Sequence, residues 1–444
     1  MGKYLKKLLP EGLLKVLRPV YHGILARIAC VYFGNPSRNM VVIGITGTAG
    51  KSTTIKMLAH ILNSFGSEET AARGDNKKIC GYVTTVSFFD GSREQINKQG
   101  LSMPGGPLLQ KYLAKMLANG CKYAIVECTS EGLAQNRHLG IAFAGVALTN
   151  LSPAHLDAHG SFENYRKAKG RLFEVPHKFS VVNVDDASAD YFLEFAVNRK
   201  IGVTGDETKK QFYKLNRVVW YHNLQAGHVL EFMVEQTAFR VPVAGVFNAA
   251  NAALASAIAE ALGVGIELSA KALQSFSGAA GRMEELETRV GFRVFVDYAP
   301  EPAAMQAALK AVNGMPHKRI LHVFGSTGGH RDVAKRAEFG RISARMSDII
   351  IITNDDVYET DAEIIAQNIQ EGISEVLPPL RKVKEVKTIL DRKAAIGYAL
   401  SIAREGDIVI ITGKGSEQFL VLPGNKRIEW DEREEVKAAL SKNK

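Results

Sequence analysis

Short apolar runs rich in branched residues alternate along the chain with longer stretches whose apolar positions recur at helical spacing. The runs fall at 41–46 (VVIGIT), 123–127 (YAIVE), 143–149, 179–184 (FSVVNV), 319–324, 348–353 (DIIIIT) and 407–412 (DIVIIT). A continuous apolar run of this length is the pattern of a strand covered on both faces. With helical segments between most of the runs, the pattern predicts α/β domains built on parallel sheets. Between 212 and 247 it changes to alternation (VVWYH, HVLEFMV, FRVPV), which predicts a more antiparallel insert, followed by a helix from Asn248 to Leu262. The glycine- and alanine-rich segment around Gly278 to Gly281 precedes a new strand ending at Asp297. The expected organisation is a basic amphipathic helical lead-in over 1–39, a central domain over 40–281 and a C-terminal domain over 282–444.

Composition adds little to this until charge is considered. The chain has 444 residues, 46% hydrophobic and 23% charged, enough for two or three domains with sizeable cores. Its four cysteines, Cys30, Cys80, Cys121 and Cys128, show no Cys-x-x-Cys spacing, so buried thiols in a reducing, cytoplasmic setting are expected. The net charge is +10, and Lys3, Lys6, Lys7, Lys15, Arg18 and Arg27 crowd the first 27 positions. Without aromatic–basic interleaving or a groove-reading motif, no nucleic-acid partner is expected. The lead-in contains no run of 18 apolar residues and is broken by Glu11, Lys15, Arg18 and Arg27, so it reads as a helix packing on the main domain. A peripheral contact with an anionic membrane through residues 1–39 stays open.

The chemistry begins at VVIGITGTAGKSTT, residues 41–54, where a buried strand turns into a glycine-rich loop ending in Lys51, Ser52 and Thr53. Gly44, Gly47 and Gly50 permit close backbone approach, and amide N–H groups at the start of the following helix can face phosphates. Lys51 supplies a point charge and Ser52 a hydroxyl for Mg²⁺. Ile45 occupies the first glycine position of the strict motif. Glu127 ends the strand YAIVE, and carboxyl ends of strands face the ligand crevice in open α/β sheets, so it can bind the magnesium bridging ATP phosphates. His155 and Asp157 follow another strand, where a loop histidine can ligate a second cation. Lys169, in FENYRKAKGRLF, reads on spacing alone as a solvent-facing helical lysine.

Taken in order, GITGTAGKSTT, Glu127, TNLSPAHLDAHGSFENYRKAKGRLF, VNVDD, GVFNAANA, GRME, VDYA, FGSTGGHRD, DRKAAI, GKGSE and WDERE give the chain a specific likeness. It resembles the Mur ligases, ATP-dependent amide ligases of peptidoglycan precursor synthesis, and is most similar to the UDP-N-acetylmuramoyl-tripeptide synthetases. The resemblance implies a central P-loop ATPase domain and a C-terminal Rossmann-like domain closing over it, acting as a cytoplasmic monomer. It implies that Gly47, Thr48, Gly50, Lys51, Ser52 and Thr53 hold ATP phosphates and that Ser52, Glu127, His155 and Lys169 serve Mg²⁺. Lys169 falls on the position of a carbamylated lysine, which turns an ammonium that repels metal into an anion that binds it. Asn248, Arg282 and Asp297 match nucleotide-contacting positions. Thr129, Gln135 and Arg137 match positions that hold the muramyl-peptide nucleotide, while Arg331, Asp355, Gly413 and Glu417 match the pocket for the incoming free amino acid. The implied mechanism activates a peptide carboxylate as an acyl phosphate, which the amino group of the next residue then attacks; Lys51, Lys169 and His155 carry the catalytic load.

The pattern also departs from the family. About 39 residues stand where some 90 of a uridine-binding domain are expected, Ala154 stands for Asp, Glu131 and Ser416 for His, and Pro300 for the His of VDYAH. Asp355, Asp356, Val357 and Tyr358 align with the D-N-P-R motif of diaminopimelate-adding relatives. Without its arginine, an acidic pair suits a diamino acid lacking a second carboxylate, such as lysine. Alternatives are a Mur-like ligase with a lipid-linked muramyl, folate or polyglutamate acceptor, and a non-catalytic ATP-binding scaffold.

Overall fold

The computed structural model describes residues 11–71, 78–97, 103–154, 156–211, 215–225, 227, 229–288, 291–329, 333–376, 378 and 380–442, with the backbone alone at 11–16, 67–71, 156, 157 and 442. The chain forms two compact units. The first draws chiefly on residues up to Phe276 and the second chiefly on Ser277 onward, with Leu224–Glu231 and Val241–Asn248 assigned to the second.

In the first unit the strands are β1 (Val41–Thr46), β2 (Cys80–Val83), β3 (Ser87–Phe89), β4 (Glu94–Ile96), β5 (Tyr123–Glu127), β6 (Phe143–Leu148), β7 (Phe179–Asn183) and β8 (Arg199–Thr204). They continue through β9 (Arg217–Gln225), β10 (Leu230–Val234) and β11 (Thr237–Val241) into one sheet of order β11-β10-β9-β8-β7-β6-β1-β5-β2-β3-β4. From β2 through β9 the pairings are parallel, whereas β2–β3 and β3–β4 are antiparallel. The expected α/β architecture is thus present. The alternating segment after residue 212, where a more antiparallel insert is expected, adds three strands to the edge of the same sheet, with β9 joining parallel to β8. Strand β1 lies between β5 and β6 in a register that sets Ile45 beside both Glu127 and Ala147. The loops leaving the carboxyl ends of all three strands therefore emerge side by side, which is the usual location of a ligand crevice.

The helix Glu11–Tyr32 packs on the helix Gly106–Ala118. Its small residues set the close approach: a side chain at Gly106 would strike Ala26, and Cys30 donates its thiol proton to the Gly140 carbonyl at 2.9 Å. All four cysteines are free and buried. Among the described residues, no helix is long and apolar enough to cross a membrane.

The second unit is a six-stranded sheet of β12 (Glu284–Leu286), β13 (Arg293–Asp297), β14 (Ile320–Phe324), β15 (Ile349–Ile352), β16 (Glu385–Thr388) and β17 (Ile408–Thr412), in the order β12-β13-β17-β14-β15-β16. Only β12 runs antiparallel. A hairpin of β18 (Phe419–Leu422) and β19 (Lys426–Glu429) follows. Alternate residues along each central strand enter opposite cores: Phe295, Phe324, Ile350, Ile408 and Ile410 on one face, Val294, Val296, Ile349, Ile351 and Val409 on the other. Burial on both faces is why these strands read as unbroken apolar runs.

The carboxyl ends of β15 and β17 are tied together by an ion pair wholly out of water. Arg392 and Glu432 are both 0% exposed, and Arg392 Nε donates to Glu432 Oε2 at 3.0 Å. The guanidinium also donates to the carbonyls of Asn354 and Thr412, each at 2.9 Å, while the Trp430 indole donates to Glu432 at 2.7 Å. Removing either partner leaves an uncompensated buried charge, so Arg392→Ala or Glu432→Ala is expected to destabilise this unit by about 3–5 kcal/mol. The double change Arg392→Met, Glu432→Leu should retain most of the stability. Urea unfolding read from Trp430 fluorescence in a Trp220→Phe background measures both effects.

Candidate active site

Leaving β1, the chain must turn sharply to start the helix Lys51–Ala71, and glycine makes this possible at two points. Gly47 has φ 147° and Gly50 φ 79°. A side chain at Gly47 would strike the Thr149 hydroxyl, and one at Gly50 the Asn251 amide oxygen. The loop is held from the neighbouring strand end as well, because Thr48 N donates to the Asn150 carbonyl at 2.8 Å and Ala49 N to Asn150 Oδ1 at 2.9 Å. Thr48 Oγ1 lies 3.0 Å from the Tyr165 hydroxyl. The first amides of a helix have no partners within it, so this turn presents N–H groups and a positive dipole end to an anion.

Three charged side chains converge on the turn. Lys51 Nζ donates to the carbonyls of Gly47 and Thr48 at 2.9 and 3.0 Å and lies 3.9 Å from the Glu127 carboxylate. Ser52 Oγ donates to Glu127 Oε2 at 2.7 Å. Glu127 is 2% exposed and also accepts Thr85 N at 2.9 Å and Thr85 Oγ1 at 2.8 Å. Lys169, likewise 2% exposed, donates to the Gly47 carbonyl at 2.7 Å and sits 4.6 Å from the centre of the Tyr165 ring. Burial, with the neighbouring Lys51 charge adding to it, pushes the Lys169 amine well below the ordinary lysine range, against the opposing pull of Glu127 and Cys128. Spacing alone reads Lys169 as solvent-facing. The structure corrects this: the helix Phe162–Glu174 turns Tyr165, Ala168, Lys169 and Leu172 inward.

An anion with a bound divalent cation fits this chemistry, since one carboxylate faces two lysines and a helix N-terminus. Ser52 and Glu127 supply the hydroxyl and carboxylate oxygens suited to magnesium. Among the described residues no group of three or more His, Cys, Asp or Glu could hold a metal by itself. His155, expected as a metal ligand, lies outside the described residues, as does Arg331. Thr53 is buried in the first helical turn. Thr129 caps the short helix Ser130–Ala134, accepting Gly132 N, and Gln135 closes that helix while accepting a proton from Arg137 at 2.8 Å. Arg137 additionally donates to the Met103 carbonyl. These three therefore sit together just beyond β5.

The other expected residues lie in the second unit. Asn248 is buried and donates to the Ala244 carbonyl at 2.7 Å. The Arg282 guanidinium lies 4.6 Å from the centre of the Tyr298 ring, and Asp297 accepts Met283 N at 2.6 Å. Gly413 N donates to the Asp297 and Tyr298 carbonyls at 3.2 and 3.1 Å, which joins this corner to the Asp355 side. There Lys414, 1% exposed by its side chain, donates to Asp356 at 2.8 Å, contacts Glu417 and lies 3.9 Å from Asp355. Burial alone would lower the Lys414 pKa, but Glu417, Asp355 and Asp356 together raise it above the ordinary range. The acidic pair is thus not free, as the sequence pattern suggests, but shared with an internal ammonium.

Several contributors escaped sequence reasoning. Thr85 clamps Glu127 from the loop after β2, Asn251 meets Gly50 from a distant helix, and Lys414 and Arg392 order the acidic corner. Only Thr84-Thr85, a polar pair ending an apolar strand, carries a local signal.

A buried parallel strand, a glycine turn and a helix start carrying Lys51 and Ser52 define an α/β protein of the P-loop class. Residues 45–259 match the model of the Mur ligase middle domain and 281–415 that of the Mur ligase, glutamate ligase domain. The chain belongs to the Mur ligase family, the ATP-dependent amide ligases. It is 32% identical to a UDP-N-acetylmuramoyl-L-alanyl-D-glutamate–2,6-diaminopimelate ligase of Clostridioides difficile over 420 residues, 94% of this chain and 82% of that protein. A UDP-N-acetylmuramyl-tripeptide synthetase of a Roseiflexus species is 34% identical over 445 residues, again 94% and 82% of the two chains. Among solved structures, a UDP-N-acetylmuramoyl-L-alanyl-D-glutamate–2,6-diaminopimelate ligase matches with a TM-score of 0.59 at 26% identity, covering 91% of this chain and 79% of the other.

Asp297 supplies a pH signature for the second unit. Burial raises its carboxyl from the ordinary 3.8 to about 6, even though Arg282 and the amides of Met283 and Ala299 pull it down. A raised native pKa means the folded state holds the proton longer than the unfolded chain. The stabilising contribution is complete below the unfolded pKa and is lost as pH rises through the native one. Between pH 4 and 7 the wild-type protein should lose about 2 kcal/mol that Asp297→Asn does not lose. Parallel urea titrations across that range check it.

Proposed function

We propose that the chain is a cytoplasmic, ATP- and Mg²⁺-dependent ligase that adds one amino acid to a UDP-N-acetylmuramoyl dipeptide. The observation carrying this reading is the convergence of Lys51 and Lys169 on the Gly47 carbonyl, beside the Ser52–Glu127 pair. Two anions must meet in the first step, a peptide carboxylate and the γ-phosphate of ATP. Lys51, moved from the loop carbonyls to the phosphates, and the amides of the turn, including those of Gly50 and Thr53, offset that repulsion, while the Thr48 amide is taken by the Asn150 carbonyl. Ser52, Glu127, His155 and Lys169 would hold magnesium, which when bound neutralises phosphate charge and polarises the phosphorus under attack. Thr129, Gln135 and Arg137 hold the muramyl-peptide substrate, and Asn248, Arg282 and Asp297 the nucleotide.

Lys169 acts in this reading as its carbamate. Burial favours the neutral amine, the form that attacks CO₂. The nitrogen lone pair forms the N–C bond, one C=O pair moves to oxygen and a proton leaves, so that a neutral buried amine becomes a metal-binding anion. Lys169→Ala is expected to abolish turnover while ATP binding persists, with partial recovery on adding a short carboxylic acid. Failure of every such acid to restore phosphate release would identify Lys169 as structural.

The free amino acid meets Arg331, Asp355, Gly413 and Glu417. In that corner Asp355, Asp356 and Glu417 gather around the internal ammonium of Lys414, with Arg392, paired to Glu432, beside Asp355 and Asp356, so acidic groups outnumber basic ones among the described residues. Such a field favours a diamino acid with a cationic side chain and opposes a second carboxylate. Mass spectrometry of a reaction containing ATP, Mg²⁺, UDP-N-acetylmuramoyl-alanyl-glutamate and equimolar lysine, ornithine and meso-diaminopimelate should show a gain of lysine or ornithine. Equal incorporation of meso-diaminopimelate would remove the specificity claim, and no product at all would remove the acceptor.

A further inference from the structure

The helix Glu11–Tyr32 has two unlike faces. Gly23, Ala26, Ala29 and Cys30 are buried against the first unit, and a side chain at Gly140 would strike Cys30. The opposite face carries Leu17, Val20, Ile24, Ile28, Val31 and Tyr32, which are 38 to 81% exposed. Their spacings of three and four residues align them in one stripe along the helix. Soluble proteins scatter exposed apolar side chains singly, whereas a contiguous stripe marks a contact surface. The docked face is fixed by close-packed small residues, so a rotation that hid the stripe would break that packing.

Charge decides what meets the stripe. By helical geometry Arg18 borders it on one side and Arg27 on the other, both exposed. No Asp or Glu occurs between Gly12 and Met40, and Arg38 adds to the same sign. We propose that this face docks on an anionic lipid bilayer, the apolar stripe entering the headgroup–acyl boundary while Arg18 and Arg27 reach lipid phosphates. Long basic side chains flanking an apolar face suit that plane, their stems lying along the apolar surface and their charges in the headgroups. A second copy seated there would bring two more arginines to a face that already carries two, with no acid on either helix face to answer them. A peptide partner would need a groove, and a single helix face is convex.

The test uses the full chain and sedimentation with vesicles of phosphatidylcholine, either alone or containing about one third phosphatidylglycerol. The protein should pellet with the anionic vesicles and not with the zwitterionic ones, and added salt should weaken binding. Ile24→Glu with Ile28→Glu, both on the exposed face, should lower partitioning at least about tenfold with an unchanged melting temperature. Arg18→Glu with Arg27→Glu should weaken binding and flatten its salt dependence. No pelleting with anionic vesicles at low salt overturns the proposal, as does equal binding to both vesicle types or by the Ile24/Ile28 variant. A dimer in light scattering that this variant turns into monomer, without vesicle binding in the wild type, assigns the face to self-association instead.

Discussion

A carboxylate taken out of water is tolerable only when its oxygens are occupied, and this requirement organises the first unit. Glu127 gathers Ser52 from the start of one helix and Thr85 from the loop after β2, with Lys51 at ion-pair distance. Those elements are separated in sequence and meet only because β1 lies between β5 and β6 with Ile45 level with Glu127. The glycine turn, the strand order and the buried acid are therefore one arrangement: a slip of register would strand a charge as well as misplace a loop.

The second unit solves a comparable problem with more charges. Lys414 balances part of an acidic corner, and Arg392 with Glu432 braces the strand ends beneath it. Neither cation reaches solvent, so their energetic contribution lies less in attraction than in forbidding arrangements that leave one of them alone. Such groups make poor glue and good registration marks, and they hold the loops bearing Asp355 and Gly413 in one relation.

Much of this was legible from the chain because it is local. A branched apolar run followed by GTAGKST names a strand, a turn and a helix start within fourteen residues, and Glu127 ends a short unbroken apolar run. Strands of three or four residues such as Ser87–Phe89 and Glu94–Ile96 carry too few positions for a period to show. The reach of Thr85 to Glu127 and of Arg392 to Glu432 depends on tertiary pairing with no local trace. Lys169 is the instructive case: polar on its own helix, it is inward because Tyr165, Ala168 and Leu172 share its face, and only the family likeness pointed there. The segment after residue 212 shows what alternation leaves out, since it reports one covered face and carries no sign that β9 joins the main sheet parallel to β8.

The buried pair of Arg392 and Glu432 also has a consequence in time. On the ribosome the strands β13 to β17 emerge before Trp430 and Glu432, so the guanidinium that bridges Asn354 and Thr412 has no counter-charge while most of the sheet already exists. A nascent domain in that state is compact in outline yet carries an unpaid ionic debt, and it stays open to solvent and to chaperones. The pairing can be completed only once the helix Glu432–Lys442 brings its acid. Chains cut short before it would carry that guanidinium unpaired among apolar neighbours.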